Sequence, residues 1–274
     1  MLSRLSAEEI YKECMDETYR YVRSAGFTDV VIGLSGGMDS SLVAAIAADA
    51  FGSEHVHGIL MPGPYSSMSS IVDATELVDR LGIDAVTIGI EPAYSEVCKG
   101  FADAYDVPLK GIASENAQAR CRMIYVMAAS NAFGWMMLNT GNKSEAAMGY
   151  STLYGDTAGA FAPIGGLYKT DVFELAGWRN RKAEASGQIP PIPQNVLEKP
   201  PSAELSPDQT DEGSLGVDYA TLDRILVAHV ERGCSDMDAE TPNIDPDLID
   251  RILQKHASME YKRAMEPPFP RIAY

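Results

Sequence analysis

Cysteine is scarce in this 274-residue chain: Cys14, Cys98, Cys121 and Cys234 are the only four, and none form a CxxC pair. A chain of this length can bury roughly 75% of its unfolded surface, so no disulfide or metal staple is needed. The four are expected to be reduced thiols in a cytoplasmic protein. Histidine is as sparse, with four scattered residues and no HExxH or Cys/His cluster of the kind that binds zinc. No run of 18 apolar residues could span a membrane, and the opening MLSRLSAEEIYKEC lacks the apolar centre of a signal peptide. Positive charge is also short. There are 22 Lys and Arg against 39 Asp and Glu, a net charge of −17. A surface this acidic repels phosphate backbones and anionic lipid, which argues against nucleic acid or membrane as partner. It leaves room for a nucleotide pocket, which needs only a few local cations and backbone amides.

What is present is an alternation of short apolar runs with amphipathic stretches. Ser6-Ala7-Glu8-Glu9 has the form of a capping box and opens a helix to about Gly26. Strands are expected at Val30–Leu34, Val56–Met61, Ala85–Ile90 and Trp135–Thr140. Helices are expected at Ser40–Phe51, about Ser69–Leu81 and about Glu115–Phe133. The pattern predicts an α/β fold with a doubly wound, mostly parallel sheet and helices on both faces. Six prolines crowd Gln188–Pro207, which reads as an ordered loop without regular structure. Acidic Asp208–Gly216 reads as a mobile lid. Helices at about Asp218–Arg232 and Asp245–Ala264 would form a C-terminal extension, about 217–264, of one domain covering 1–274.

The sharpest local signal is Ser35-Gly36-Gly37-Met38-Asp39-Ser40, placed between the first strand and the next helix. Glycines there permit a tight turn and close approach to an anion. The helix start then offers unpaired N–H groups and the positive end of its dipole. Asp39 is no phosphate contact, being anionic, but it suits Mg²⁺, a hard cation that binds oxygen and bridges to phosphates. The GxxxxGK[ST] pattern of a Walker A loop is absent.

The string resembles the pyrophosphate loop of the ATP pyrophosphatases, which activate a substrate as its adenylate. Further blocks narrow the likeness. Asn139-Thr140-Gly141-Asn142-Lys143-Ser144-Glu145 resembles the GTxNKSE segment of NAD synthetases. Asn116–Met123, Thr152–Asp156, Ala162–Ile164, Leu167–Thr170, Lys199–Leu205, Asp208–Glu212 and Glu260–Arg263 follow in that family's order. The resemblance spans about Thr28–Arg263. It implies an adenine nucleotide alpha hydrolase-like, Rossmann-like fold and an ATP-dependent ligase that amidates deamido-NAD, releasing AMP and pyrophosphate.

It also implies roles. Gly33, Leu34, Ser35, Gly36, Gly37, Met38, Asp39, Ser40, Thr140, Lys169 and Ser202 would bind ATP, the co-substrate. Asp39 and Glu145 would bind Mg²⁺. Arg120, Tyr261 and Lys262 would bind deamido-NAD, and Asp156 and Lys169 would serve catalysis. Taken residue by residue without the likeness, Glu145 could as well be a solvated helix-start acid, and Arg120 and Lys262 surface charge. Some positions depart from the family pattern. Gly63-Pro64 replaces Ser-Arg in a loop near adenine, and Leu153 and Ala160 stand where some ammonia-dependent members carry Lys and Asp. Tyr261 replaces their His. The string Tyr154–Phe161 looks instead like the synthetase domain of glutamine-dependent members. The helix Glu115–Phe133, with Met123, Ile124, Met127 and Phe133, offers apolar surface that either packs inside the monomer or forms the homodimer the family implies. Only 29 residues precede the first strand and position 2 is Leu2, so no glutaminase unit is expected within the chain. Ammonia is the expected nitrogen donor. The alternatives are ammonia fed by a separate glutaminase, or another amidoligase with the same loop.

Overall fold

The computed structural model describes residues 2–234, 241 and 243–274. Strands β1 (Val30–Leu34), β2 (Val56–Leu60), β3 (Asp84–Thr87) and β4 (Met136–Met137) form one sheet in the order β3-β2-β1-β4. All pairings are parallel, with Val30 opposite both Val56 and Met136. Parallel neighbours need long crossovers, and helices supply them. The chain winds outward from β1 to β3 and then returns to place β4 on the other side of β1. The direction of winding therefore switches between β1 and β4, where α/β sheets open a crevice at their strand C-termini.

Side chains alternate across β1. Val30, Ile32 and Leu34 join the larger core with α1 (Ala7–Ser24), α2 (Met38–Phe51), α3 (Met68–Leu81) and α7 (Lys169–Ala185). Val31 joins a smaller core with α4 (Glu91–Tyr105) and α5 (Ile112–Phe133). The sheet is thus doubly wound, with helices on both faces. The expected capping box is present: Ser6 N–H donates to Glu9 Oε2 at 2.8 Å and Glu9 N–H to Ser6 Oγ at 3.3 Å. Among the described residues, no helix is long and apolar enough to cross a membrane.

Several boundaries differ from the sequence reading. The β3 ladder covers Asp84–Thr87 rather than Ala85–Ile90, although Ile88 and Ile90 still donate to Leu60 and Pro62 carbonyls. β4 is limited to Met136–Met137; Leu138 N–H still donates to Val31 O of β1 at 3.0 Å, but Leu138 also bridges Phe161. Helices α4 and α7 have no counterpart in the sequence reading. α4 has no fully buried residue, so its apolar stripe is weak. α7 mixes Val172, Leu175 and Ala176 with charges used in tertiary contacts; Arg179, for example, binds both Asp49 oxygens at 2.7 and 2.9 Å. The proline-rich loop holds one short helix, α8 (Gln194–Glu198). Pro193 caps its start and Pro200 follows its end, positions where a missing N–H costs nothing. Asp211–Leu215 forms the short helix α9, and α10 (Tyr219–Leu226) runs on into a π-helical turn, Val227–Glu231. The last expected helix is divided into α11 (Pro246–Ser258) and a single turn, α12 (Glu260–Arg263).

One buried acid ties the parts around the crevice. Asp223 of α10 is fully buried. Its Oδ1 accepts the Ser144 hydroxyl at 2.5 Å, and its Oδ2 accepts Thr170 N–H and hydroxyl, both at 2.9 Å. Ser144 Oγ in turn accepts the Lys169 N–H at 2.8 Å. Asp223 therefore sets the start of α7 against α6 (Lys143–Met148). Removing it orphans several buried donors, each worth about 1–3 kcal/mol. Asp223→Ala is expected to lower unfolding free energy by about 3 kcal/mol in urea titration, with a matching loss in the Lys169-dependent function described below.

Candidate functional site

A cleft of about 470 Å³ opens at the C-terminal ends of β1 and β4. The turn after β1 forms one wall. Gly33, Leu34, Ser35, Gly37, Met38, Asp39 and Ser40 all line it. The first N–H groups of α2 stay available because Gly37, its N-cap, has no side chain to cap them. The turn is braced from within: Gly37 N–H donates to Ser35 Oγ at 3.1 Å, the Ser35 and Ser40 hydroxyls lie 3.0 Å apart, and Ser41 Oγ donates to Gly37 O at 2.8 Å. Gly36 is not on the wall. It has φ +75, and a Cβ there would sit 2.0 Å from the Ser70 carbonyl oxygen of α3. Only glycine fits that close approach.

The opposite wall follows β4. Thr140 and Glu145 line it, and Asn142 caps α6 by accepting Glu145 N–H at 3.0 Å. Asn142 also donates to Asp39 Oδ1 at 2.9 Å, joining the two walls. Lys169, first residue of α7, closes the floor. It is 1% exposed, binds Asp39 Oδ2 through a short ion pair and lies 3.3 Å from Glu145 Oε1. Its ammonium also lies 5.4 Å from the Tyr219 ring centroid. Burial by itself would lower the Lys169 pKa; Asp39 and Glu145 outweigh it and hold the ammonium firmly charged. Burial lifts the Glu145 carboxyl above its usual range, Lys169 opposes this, and Asp39 and Asp211 add to it.

Asp156 and Lys262 also line the cleft. Thr152 N–H donates to Asp156 Oδ1 at 2.5 Å. Desolvation by the cleft walls raises the Asp156 carboxyl, with Lys262, Arg120 and Arg122 pulling it down. The side chain stays open to the cleft's water, so the rise is smaller than enclosure alone would give. Lys262 Nζ donates to the Gly149 and Ser151 carbonyls at 2.7 and 2.6 Å. Ser202 also reaches the cleft, its hydroxyl bonded to Gln209 O at 2.6 Å. Arg120 and Tyr261 are not brought in. Arg120 is exposed and donates to Leu153 O at 3.1 Å, and Tyr261 is 56% exposed outside the wall.

Arg122, to which the sequence reading gave no role, does line the cleft. Its Nε donates to Met61 O at 3.1 Å. A Cβ on Gly63 would come within 2.8 Å of its Nη2, so the glycine that departs from the family loop makes room for this guanidinium. Gly63 and Arg122 are distant in sequence, and nothing in the sequence pairs them. Asn142 and Asp211 were quoted in motif blocks without a role; their bonds to distant elements carry no local signal.

The donor set suits a hard cation. Asp39 and Glu145 offer carboxylate oxygens, while no group of three metal-ligating side chains converges among the described residues. Mg²⁺ commonly takes one or two carboxylates and completes its shell with water and phosphate.

Residues 10–266 match the family model described as NAD synthase. The chain belongs to that family. It is 44% identical to the glutamine-dependent NAD(+) synthetase of Thermotoga maritima over 93% of this chain, but covers only 44% of that protein. The chain spans just under half the length of the curated relatives it matches. Among solved structures it is similar to NMN synthetase from Francisella tularensis, with TM-score 0.79, 30% identity and coverage of 94% of this chain and 96% of that one. It is also similar to NH3-dependent NAD synthetase from Campylobacter jejuni, with TM-score 0.72, 27% identity and coverage of 93% and 96%. These likenesses agree with the adenine nucleotide alpha hydrolase-like fold.

A side chain at position 36 must either push back the α3 backbone or abandon the turn. Gly36→Ala is expected to lower stability by about 2–3 kcal/mol, the range for a strained positive-φ residue with a backbone clash. Thermal unfolding and nucleotide binding by calorimetry would both register the change, and wild-type values in the two would refute the packing argument.

Proposed function

We propose that this chain catalyses ATP-dependent amidation of the nicotinate carboxylate of deamido-NAD, a ligase reaction forming a C–N bond. The single observation behind this reading is the cleft between β1 and β4. It places an open helix N-terminus, a buried lysine and two acids around one space. A carboxylate resists ammonia because it is anionic and its oxygen leaves poorly. Attack on the α-phosphate of ATP converts it to a mixed anhydride and expels pyrophosphate; ammonia then displaces AMP. The demand on the protein is positioning and neutralisation of phosphate charge. The Ser35–Ser40 turn would hold the phosphates through its N–H and hydroxyl groups, and Lys169 would supply a fixed positive charge. Asp39 and Glu145 would hold Mg²⁺, which would neutralise and orient the phosphates. Thr140 and Ser202 would complete the ATP site. Lys262 would bind the dinucleotide and Asp156 would serve catalysis; Arg120 and Tyr261 would reach the dinucleotide only from outside the present wall.

Ammonia is the attacking nitrogen in either reading of its source. The Campylobacter neighbour, named NH3-dependent, supports free ammonia as the donor. The curated relatives are named glutamine-dependent and are about twice as long as this chain. They favour the second reading, in which a separate glutaminase supplies ammonia to this synthetase unit. Cys14, Cys98 and Cys121, free thiols all, agree with a reducing, cytoplasmic setting. The acidic surface keeps nucleic acid and membrane lipid out of the list of partners.

The deciding assay follows AMP and NAD formation from ATP, Mg²⁺ and deamido-NAD, with ammonium chloride or with ammonia-free glutamine. Turnover is expected with ammonium and not with glutamine alone. Activity on nicotinate mononucleotide but not deamido-NAD would reassign the substrate. Lys169→Met is expected to lower kcat/KM by about 100-fold or more, as for removal of one transition-state charge contact. Unaltered kinetics would reject the pocket.

A homodimer is part of the proposal. Ile124, Met127 and Phe133 of α5 are 61%, 37% and 65% exposed, whereas Met123 turns towards the smaller core. Val97 and Tyr105 of α4, a helix packed against α5, are exposed as well. Light scattering at micromolar concentration should give twice the chain mass; a monomer in active enzyme would dismiss it.

A further inference from the structure

Asp211 has no part in the chemistry above, yet it stands within the same wall of the cleft. It begins α9, where its N–H donates to Pro201 O at 3.0 Å and the Thr210 hydroxyl caps Gly213 N–H at 3.2 Å. It lines the cleft together with Asp39, Glu145 and Lys169 and is 4% exposed. Its Oδ2 receives one long hydrogen bond, 3.4 Å from the Tyr219 hydroxyl. Its Oδ1 is buried and has no hydrogen-bond partner. Burial raises the Asp211 carboxyl, with Lys169 and the Tyr150 hydroxyl opposing it, and the Tyr150 hydroxyl makes no bond of ordinary geometry to Oδ1.

A buried carboxylate oxygen without a donor is costly and is seldom retained without use. Protonation does not remove the difficulty, since it replaces an orphaned acceptor by an orphaned donor. The charges point the same way. Three carboxylates, Asp39, Glu145 and Asp211, share this part of the cleft with one ammonium, and the ion pairs of Lys169 are with the first two. The missing partner is a cation or a donor held by one. Direct ligation of a metal by all three acids does not fit, because no such group converges among the described residues. Mg²⁺ dehydrates reluctantly and keeps several waters, each a strong donor.

We propose that Asp211 is an outer-sphere ligand of the divalent cation held by Asp39 and Glu145, its free Oδ1 accepting a hydrogen bond from a water of that cation's hydration shell. This rests on the Mg²⁺ assignment made above. It also links the cation to the segment bearing Ser202, since Asp211 is bonded to Pro201 and Ser202 to Gln209. The cation would then hold α9 and the residues before it in place at the cleft wall.

The test is a titration with Mn²⁺ in place of Mg²⁺, in the presence of α,β-methylene-ATP, which cannot turn over. Free Mn²⁺ is read from its EPR signal. Asp211→Asn keeps the shape and removes the charge. It is expected to raise the Kd for Mn²⁺ by about 10- to 100-fold, the usual effect of losing an outer-shell partner, with thermal unfolding unchanged. Glu212→Gln is the control. It removes the same charge from α9, but Glu212 accepts Tyr219 N–H at 3.0 Å and does not line the cleft. Its Mn²⁺ affinity should match wild type. Asp211→Ala provides a second measurement with the same expectation should Asp211→Asn fold poorly. Equal Mn²⁺ affinity in wild type and Asp211 variants would overturn this inference while leaving the metal assignment standing. An equal loss in Glu212→Gln would overturn it too, as a mere effect of net charge. A wild-type chain that binds no Mn²⁺ would remove both it and the Mg²⁺ assignment.

Discussion

The Lys169 ammonium is removed from water between Asp39, from the turn after β1, and Glu145, from the helix after β4. Removing either charge from such a pair leaves the other buried and uncompensated, at a cost of about 3–5 kcal/mol. The two walls of the cleft meet through this lysine, and α7 starts at it. Ser144 and Asp223 fix the lysine's backbone, so α6 and α10 are arranged around the same charge. Few other side chains in the molecule answer to so many elements. A charge held this tightly suits the phosphate-binding role proposed for the cleft, which calls for little rearrangement.

Much of the sheet was legible in the sequence because its strands are short apolar runs bounded by turn residues. Val30–Leu34 was placed correctly to the residue, and Ser6 with Glu9 marked the start of α1. Legibility failed where tertiary contact overrides local pattern. Just past β4, Leu138 keeps a hydrogen bond to β1 and also bridges Phe161, a partner that its own apolar run does not reveal. α4 lies on the outside of the smaller core and shows no deep apolar stripe. The prolines of 188–207 concealed α8, since the rule against proline concerns helix interiors and these lie at its ends.

The candidate site was legible for the same reason and illegible by the same limit. The Ser35–Ser40 turn carries its own phosphate and cation signal, whereas Thr140, Glu145, Lys169, Ser202, Asp156 and Lys262 were marked by the likeness of their blocks to the family, and the fold brings them to one cleft with the turn. Gly36 supports that turn from beneath rather than facing the cleft, a distinction that depends on the Ser70 carbonyl. Arg122 and Asp211 gain their meaning only from neighbours far along the chain. A guanidinium needs the empty space over Gly63, and a carboxylate needs an oxygen without a donor, before either becomes informative.

The order of the strands also bears on how the molecule comes to exist. β1 pairs with β2 across a short stretch of chain, Val30 to Val56, but with β4 only across the whole of α2 to α5, Val30 to Met136. Closure entropy rises with the length of chain enclosed, so the contact between β1 and β4 is the entropically dearest in the sheet and the last favoured to form. The cleft lies across that seam. A chain with β1 to β3 already assembled would possess less than half of its core and only one wall of the cleft, and a nucleotide gripping both walls would stabilise the step that completes the fold.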